Sequence, residues 1–277
     1  MALIQTSTSA RRKFGGYKPE KPKVIRTANV RKDPEVEKAM RMYGDLEVNM
    51  KKWFKRWDKI GGRNAREGFG RYILDPVIVE WVKRKHQRYG FVPNKELIEK
   101  LPFVLEGKGN EWRFLSSLIR ASPDDNFVLH GVVGQRGDVA HGAGYMNNKN
   151  IIITNGGAIH TLGRNMEAGS ITSEGDMRTG VIGSKMTGGR ITVKGSILGN
   201  TNIGAEMAGG TIEIFGDCCG AKIGPLCGGN IIIHGDITSS AIIGIGEASE
   251  LHVFGEIEDL SGRCHGKVFH KGKQIAP

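Results

Sequence analysis

A glycine-bounded repeat of about 20 residues fills the second half of this chain and limits the folds open to it. Two regular copies are GSKMTGGRITVKG (183–195) and GAEMAGGTIEIFG (204–216), and less regular copies occur on both sides of them. A unit this short cannot bury an apolar face by itself, so successive copies must stack on one another. Six glycines, spaced 19 to 21 residues apart, open the copies: Gly144, Gly163, Gly183, Gly204, Gly224 and Gly244.

Equivalent positions of the copies carry similar side chains, and this predicts a short strand at the end of each copy. Apolar and polar residues alternate there, as they do in a strand with one buried face. The predicted inward positions are Ile152, Ile171, Ile191, Ile212, Ile231 and Leu251, followed two residues later by Thr154, Ser173, Val193, Ile214, Ile233 and Val253. The outward column between them contains Thr172, Thr192, Glu213, Ile232 and His252. Its apolar member, Ile232, favours a face that is covered by a partner.

These patterns predict an all-β C-terminal domain over residues 126–258: a right-handed parallel β-helix, or single-stranded solenoid, with coils of about 20 residues. The Leu-x-x-Leu-x-Leu spacing of leucine-rich repeats and the nine-residue period of calcium-binding repeats are both absent. Glycine makes up 41 of the 277 residues, and we assign most of these glycines to coil corners rather than to disorder. Residues 259–277 are predicted to form a C-terminal tail.

The first 125 residues differ in composition from the repeat. They carry 28 Lys and Arg against 16 Asp and Glu, whereas the rest of the chain carries 12 against 13. We predict a flexible basic arm over residues 1–32 and a basic, mainly α-helical region with a thin core over residues 33–125. The predicted helices begin at Asp33-Pro34, Asp75-Pro76, Asn94 and Asn110, with a kink or break at Gly44.

Basic residues and tryptophans are interleaved on two of the predicted helices. Beside a solenoid, this pattern favours docking onto an acidic partner protein, with the tryptophans as anchors. The alternatives are a solvated helix face and nucleic-acid binding, although no helix-turn-helix, RNA-recognition or zinc-finger motif accompanies the basic residues. The candidate partner-binding residues on these helices are Trp53, Lys55, Arg56, Trp57, Trp81, Arg84 and Arg88.

The residues with reactive side chains match no catalytic or metal-binding motif, so we predict no catalytic residue, no cofactor and no metal. No C-x₂-C pair occurs among the four cysteines, although a metal or redox role remains an alternative for Cys218, Cys219, Cys227 and Cys264. A glycine precedes each member of an acidic column, which is typical of turn hydrogen bonding. A bridging cation is the alternative for this column, which contains Asp176, Asp217 and Asp236.

Residues 131–145 depart from the 20-residue period and form the expected insertion loop. They include Arg136 and His141, which we add to the candidate partner-binding residues because functional side chains often lie on loops. No apolar run approaches the ~20 residues needed to span a bilayer. We therefore expect a soluble, cytoplasmic protein without a membrane partner.

The repeats resemble the GXGXG β-helix family, which includes the β-helix subunit of formylmethanofuran dehydrogenase, its counterpart in the bacterial formyltransferase/hydrolase complex, and the C-terminal domain of the glutamate synthase large subunit. The G-x-x-M-x-G-G-x-I-x-[VI]-x-G form of residues 183–195 and 204–216 carries the match and is most similar to the formylmethanofuran dehydrogenase subunit. The resemblance covers residues 126–258, and residues 1–125 have no counterpart in the family. It implies a rigid solenoid that does no chemistry and packs beside catalytic subunits.

This resemblance leads to one principal expectation and two alternatives. We expect a non-catalytic assembly subunit of a hetero-oligomeric enzyme complex, similar to the β-helix subunit of the formyl-transferring complexes, with its basic region on the acidic surface of a neighbour. The first alternative is a glutamate-synthase-like subunit of an amidotransferase or amino-acid-forming oxidoreductase. The second is a nucleic-acid-binding scaffold that acts through the basic N-terminal half.

Overall fold

A computed structural model gives the fold as a small group of helices followed by a solenoid of short parallel strands. It describes residues 30, 32–61, 69–105, 111–130, 143–154, 161–177, 180–224, 226–239, 241–242, 244–258 and 263–276. The helices are α1 (Pro34–Gly61), α2 (Phe69–Lys85), a 3-10 turn (His86–Tyr89), α3 (Lys95–Lys100), α4 (Pro102–Leu105) and α5 (Glu111–Ala121).

The solenoid strands are two to eight residues long. They are β1 (Asn126–His130), β2 (Asn150–Thr154), β3 (Thr161–Leu162), β4 (Ser170–Ser173), β5 (Gly180–Ile182), β6 (Arg190–Val193), β7 (Ile197–Leu198), β8 (Thr201–Ile203), β9 (Met207–Ile214), β10 (Cys218–Cys219), β11 (Lys222–Ile223), β12 (Leu226–Ile233), β13 (Ile237–Thr238), β14 (Ala241–Ile242), β15 (Gly244–Ile245), β16 (Ser249–Val253), β17 (Arg263–Cys264), β18 (Lys267–His270) and β19 (Lys273–Ala276).

Three sheets form the walls of the solenoid, and all their strand pairs are parallel except that of β18 with β19. This confirms the predicted β-solenoid with helices before it. The long sheet runs in the order β1-β2-β4-β6-β9-β12-β16-β18-β19, with β15 and β17 joined to it beside β12. A five-stranded sheet runs β3-β5-β8-β11-β14, and a three-stranded sheet runs β7-β10-β13. Because each chain turn adds one strand to a sheet, equivalent residues of successive coils lie directly above one another.

The register of the long sheet confirms the predicted inward columns except in the first copy. Ile171, Ile191, Ile212, Ile231 and Leu251 are aligned from strand to strand and are fully buried. In β2, however, Ile151 and not Ile152 aligns with Ile171, and Ile152 is exposed.

The physical reason is that β2 contains three consecutive isoleucines, so the period-two pattern of hydrophobicity does not specify which face is buried. The inward pair is Ile151 and Ile153, and the predicted inward residues Ile152 and Thr154 were one residue out of register.

A contact between methionine and glycine joins neighbouring coils. Met166, Met186 and Met207 are fully buried, and each Cε lies beneath a glycine of the next coil. A Cβ built on Gly189, Gly210 or Gly229 would be 2.5 to 2.6 Å from that Cε and within 2.8 Å of a backbone oxygen. The same glycines have φ between +85° and +89°. Glycine is therefore required here both by the backbone conformation and by the spacing of the coils.

Helices α3, α4 and α5 cover the first coil of the solenoid. The first two pack on β1, where the backbone N–H of Val128 donates to Glu99 Oε1 (2.6 Å). From α5, Ser116 Oγ accepts the N–H of Gly144 (3.0 Å), and Arg120 binds Glu167 Oε2 (2.9 Å). The predicted helical region thus has a substantial core that is continuous with the solenoid core, and the predicted thin core was wrong.

Two predicted features of the longer helices are corrected. Helix α1 passes through Gly44 without a break, and α2 runs from Phe69 to Lys85, so that Pro76 lies inside it rather than at its start. A proline removes one helical hydrogen bond and bends a helix without necessarily ending it. Here α2 packs along α5, and this tertiary contact outweighs the local preference of the Asp75-Pro76 pair for a helix start.

The solenoid also extends past the predicted boundary at residue 258. Strand β18 pairs in parallel with β16, and β19 then pairs with β18 in the antiparallel direction. Much of the stretch predicted to be a tail therefore belongs to the long sheet, as β18 and β19.

We expect alanine at Gly210 to destabilise the protein more than alanine at Gly272. Both glycines have positive φ, but a Cβ at Gly272 meets nothing within 4 Å, whereas one at Gly210 meets Met186 and the neighbouring backbone. Backbone strain alone costs about 1–2 kcal/mol, and overpacking adds about 1–3 kcal/mol at Gly210. Urea unfolding of Gly210→Ala and Gly272→Ala measures the difference, and equal losses would contradict the packing argument.

A second prediction concerns Asp33, at the start of α1. Its carboxylate accepts a hydrogen bond from the N–H of Glu35 (2.9 Å) and forms an ion pair with Lys100 Nζ (2.8 Å). The hydrogen bond from Lys100 holds the pKa of Asp33 below its usual range. A carboxylate with a lowered folded pKa stabilises the protein above its unfolded pKa, and this contribution is lost as the pH falls through the folded pKa.

Lys100→Met should therefore lower the free energy of unfolding by about 0.5–1 kcal/mol at pH 7 and make little difference below pH 3. Denaturant unfolding at both pH values measures this effect. If the variant lost the same free energy of unfolding at both pH values, Lys100 would act through its packing alone and not through the ion pair with Asp33.

Candidate partner-binding surfaces

A groove with a volume of about 590 Å³ lies between α1 and α2. We call it the α1–α2 groove and define it by its lining residues: Trp53, Pro76, Val77, Glu80, Trp81, Arg84, Lys85 and Arg88. All except Trp53 come from α2 and the 3-10 turn, where steps of three or four residues place them on one side of the helix.

The two ends of the α1–α2 groove differ in chemistry. Midway along α2, Val77 is 44% exposed and lies one helical turn before the half-buried Trp81. Toward the end of the helix the lining consists of Arg84, Lys85 and Arg88. The groove is thus apolar at one end and cationic at the other.

Among the residues that the structure describes, Glu80 supplies the one carboxylate that lines the groove. It holds Arg84 through a 2.6 Å ion pair across one helical turn. Among the described residues, no carboxylate forms an ion pair with Lys85 or Arg88. These two cations are therefore available to a ligand that enters the groove.

The cationic end is held in place by the chain that follows it. Tyr89 donates a hydrogen bond from its hydroxyl to Asp45 of α1, and Lys38 Nζ donates to the carbonyl oxygen of Gly90 (2.9 Å). Burial, followed by the bond to Asp45, raises the pKa of Tyr89 to about 12. The tyrosine therefore remains a neutral donor at physiological pH, and it ties the 3-10 turn to α1.

The structure brings four of the predicted partner-binding residues together in this groove: Trp53, Trp81, Arg84 and Arg88. Lys55 and Arg56 are exposed on α1 but do not line the groove. The side chain of Trp57 and both Arg136 and His141 lie outside the described residues. The list of candidate residues left out Val77 and Lys85, although their spacing of four residues from Trp81 would have placed them on the same side of α2.

A second surface lies on the outer face of the long sheet, where aromatic and histidine rings of successive coils stack. We call these rings the ring ladder; they are Phe215, His234, Phe254, His252 and Phe269. His234 stacks between Phe215 and Phe254, with ring centroids 4.5 and 5.2 Å away. His252 stacks on Phe269 at 4.5 Å. Ile232, the predicted partner contact on this face, is half-buried in the column that also holds His252.

The charges around the ring ladder are paired within the chain. Glu213 lies 3.0 Å from Arg190 and 3.1 Å from His234 Nε2. Glu250 lies 3.0 Å from His252 Nε2 and 3.3 Å from Lys267. The hydrogen bonds from His252 and then Lys267 lower the pKa of Glu250. This face is thus structured but, unlike the α1–α2 groove, it satisfies its own charges.

The predicted acidic column forms hydrogen bonds between coils. The N–H of Ser196 donates to Asp176 Oδ1 (2.8 Å), and that of Asp236 donates to Asp217 Oδ1 (2.9 Å). Glu256 continues the series by donating its N–H to Asp236 Oδ1 (2.8 Å). Each side chain therefore bonds the next coil, not its own turn, and the sequence interpretation of local turn bonding was wrong.

Among the described residues, no group of three or more His, Cys, Asp or Glu side chains is arranged to hold a metal ion. The adjacent cysteines of β10 point to opposite sides of the strand: Cys218 is buried, and Cys219 Sγ accepts a hydrogen bond from Thr238 Oγ1 (3.1 Å). Burial raises the pKa of the Cys218 thiol. The side chains of Cys227 and Cys264 are outside the described residues.

Comparisons of the chain with protein-family models, with curated proteins and with solved structures find no match. Within the described residues, none of the helices combines the length and the apolar character needed to cross a membrane.

Two replacements of Asp217 distinguish the contribution of its hydrogen bond to stability from that of its negative charge. Asp217→Ala leaves the N–H of Asp236 without its partner and should lower the free energy of unfolding by about 1 kcal/mol. Asp217→Asn keeps an acceptor oxygen and removes like-charge repulsion along the column, so it should cost less. Denaturant unfolding of the two variants measures this, and an equal loss in both would indicate that the charge, and hence a cation, matters.

Proposed function

We propose that this protein is a non-catalytic structural subunit of a multi-subunit enzyme complex, in which the solenoid spaces the neighbouring subunits and the α1–α2 groove holds one of them. The groove is the observation that carries the proposal. It combines two tryptophans with arginine and lysine outside the repeat, and tryptophan and arginine are the residues most enriched where protein partners bind tightly.

The packing of the solenoid supports a spacing role. Equivalent strands of successive coils are in register, and fully buried isoleucines and methionines fill the space between the sheets. A closely packed interior of this kind resists deformation. Such a body holds the surfaces at its two ends at a constant separation, which is what a spacer between catalytic subunits requires.

The resemblance of the repeats to the GXGXG family supports the choice of an enzyme complex. The proposed partners are the catalytic subunits of a formyl-transferring complex similar to formylmethanofuran dehydrogenase, acting in the cytoplasm. A glutamate-synthase-like complex that forms amino acids is the second candidate in the same family. A neighbouring gene for an amidohydrolase-type formyl hydrolase would favour the first, and one for a glutamine amidotransferase would favour the second.

Purification of the full chain from its native source, at low ionic strength and with an affinity tag, tests this proposal. The expected result is a stable assembly in which enzyme subunits are present in fixed proportion to the tagged chain, as determined by mass spectrometry and by mass measurement in solution. Recovery of the chain alone, or with nucleic acid as its main companion, would contradict the proposal.

A further inference from the structure

We infer that the α1–α2 groove binds one acidic, amphipathic segment of a partner protein, whose apolar side chains contact Val77 and Trp81 and whose carboxylates contact Lys85 and Arg88. This inference rests on the proposed function, because it assumes that the chain holds a partner subunit. It adds the chemistry and the direction of the segment that is held.

The length of the groove sets the size of that segment. From Val77 to Arg88 the lining covers eleven residue steps, which correspond to about 17 Å along a helix. About three turns of a docked helix, or about five residues of extended chain, would cover this distance. A single side chain or a small anion would leave most of the groove open.

The unequal ends of the groove determine the direction of the segment. An apolar side chain at the Val77 end removes that exposed residue and the indole of Trp81 from water, which is favourable in proportion to the apolar area buried. A carboxylate at the other end meets Lys85 and Arg88, which have no ion-pair partner among the described residues. A segment bound in the opposite direction would place its carboxylates against the apolar end.

A protein segment fits these features better than a nucleic acid does. A strand of nucleic acid carries a phosphate at every nucleotide, so it requires cations along its whole path. In the α1–α2 groove the cations occupy one end, and the lining also contains the carboxylate of Glu80, which would repel a phosphate. An acidic peptide with separate apolar and charged parts meets no such conflict.

The groove is already organised for binding. Trp53 and Trp81 pack against the hydrophobic core, Glu80 orients Arg84, and Tyr89 ties the adjacent turn to α1 through Asp45. Side chains that are held before binding lose less conformational entropy when a ligand arrives. Lys85 and Arg88 have no ion-pair partner among the described residues, and they are the ones expected to meet carboxylates.

Site-specific photo-crosslinking in the native assembly tests the inference directly. A photoreactive amino acid replaces Val77 in the full tagged chain, and a matched control carries it at Ile152, which is similarly exposed on the solenoid. We expect Val77 to crosslink to one partner peptide that contains apolar residues and at least two carboxylates within about 12 residues. Ile152 should not label that peptide.

Charge reversal then tests the direction, with the crosslinked peptide synthesised and fluorescently labelled as the probe. We expect Arg88→Glu and Lys85→Glu each to weaken binding at least tenfold in fluorescence polarisation. Lys83→Glu makes the same change on the same helix but outside the groove lining, so it should change the affinity less than twofold. Val77→Ser should weaken binding about fivefold through lost apolar contact, whereas Val92→Ser, at another exposed valine, should have no effect.

The outcomes separate this inference from the proposed function. Recovery of the chain without enzyme subunits overturns both. An intact enzyme assembly in which Val77 crosslinks to nothing, to nucleic acid, or to a peptide without carboxylates overturns the inference alone. Equal effects of Arg88→Glu and Lys83→Glu on peptide binding would also overturn it, because they would show a general charge effect in place of a defined site.

Discussion

The stacking of one coil on the next at the spacing of a β-ladder, about 4.8 Å, is the constraint from which the rest of this structure follows. At that distance a Cβ on a corner residue would collide with the backbone of the neighbouring coil or with one of its methionines. Glycine is therefore required at those corners. The same spacing brings the side chains at equivalent positions of successive coils into contact. The isoleucine columns, the ring ladder and the hydrogen-bonded acidic column are all products of it.

A solenoid built in this way has two open ends, and both are covered in this chain. Helices α3, α4 and α5 lie on the first coil and satisfy backbone donors of Val128 and Gly144 with side chains. At the other end β19 reverses direction and pairs with β18. Unpaired strand edges invite pairing with other chains, so these two ends allow the parallel sheet to stop. The helical region is therefore part of the folding unit as well as the carrier of the α1–α2 groove.

The fold could be predicted from the sequence because the repeat has a nearly constant period. The same pattern of glycines and buried positions therefore recurs in every coil. Prediction failed where the period gives no information: the three isoleucines of β2 are equally compatible with both faces, and the Asp75-Pro76 pair indicates a helix start that packing against α5 overrides. Trp53, Trp81, Arg84 and Arg88 were predicted as partner-binding residues because basic residues and tryptophans are interleaved on the predicted helices, and the structure places them together in the groove. Val77 and Lys85 were left off the list of candidate residues although they lie four residues on either side of Trp81, because the sequence does not show which side of α2 packs against the core. Contacts between coils, such as that of Asp236 with Asp217, follow from the stacking and not from local sequence.

The strand that closes the long sheet, β19, also makes the solenoid a molecule of definite length. Every additional coil of about 20 residues would lengthen it by one ladder spacing and leave the local environment of the other coils unchanged. Duplication or loss of one repeat would thus move the far end relative to the helices in steps of about 4.8 Å. The number of coils therefore fixes the distance between the helical region and the far end of the solenoid, and that distance changes only in whole ladder spacings.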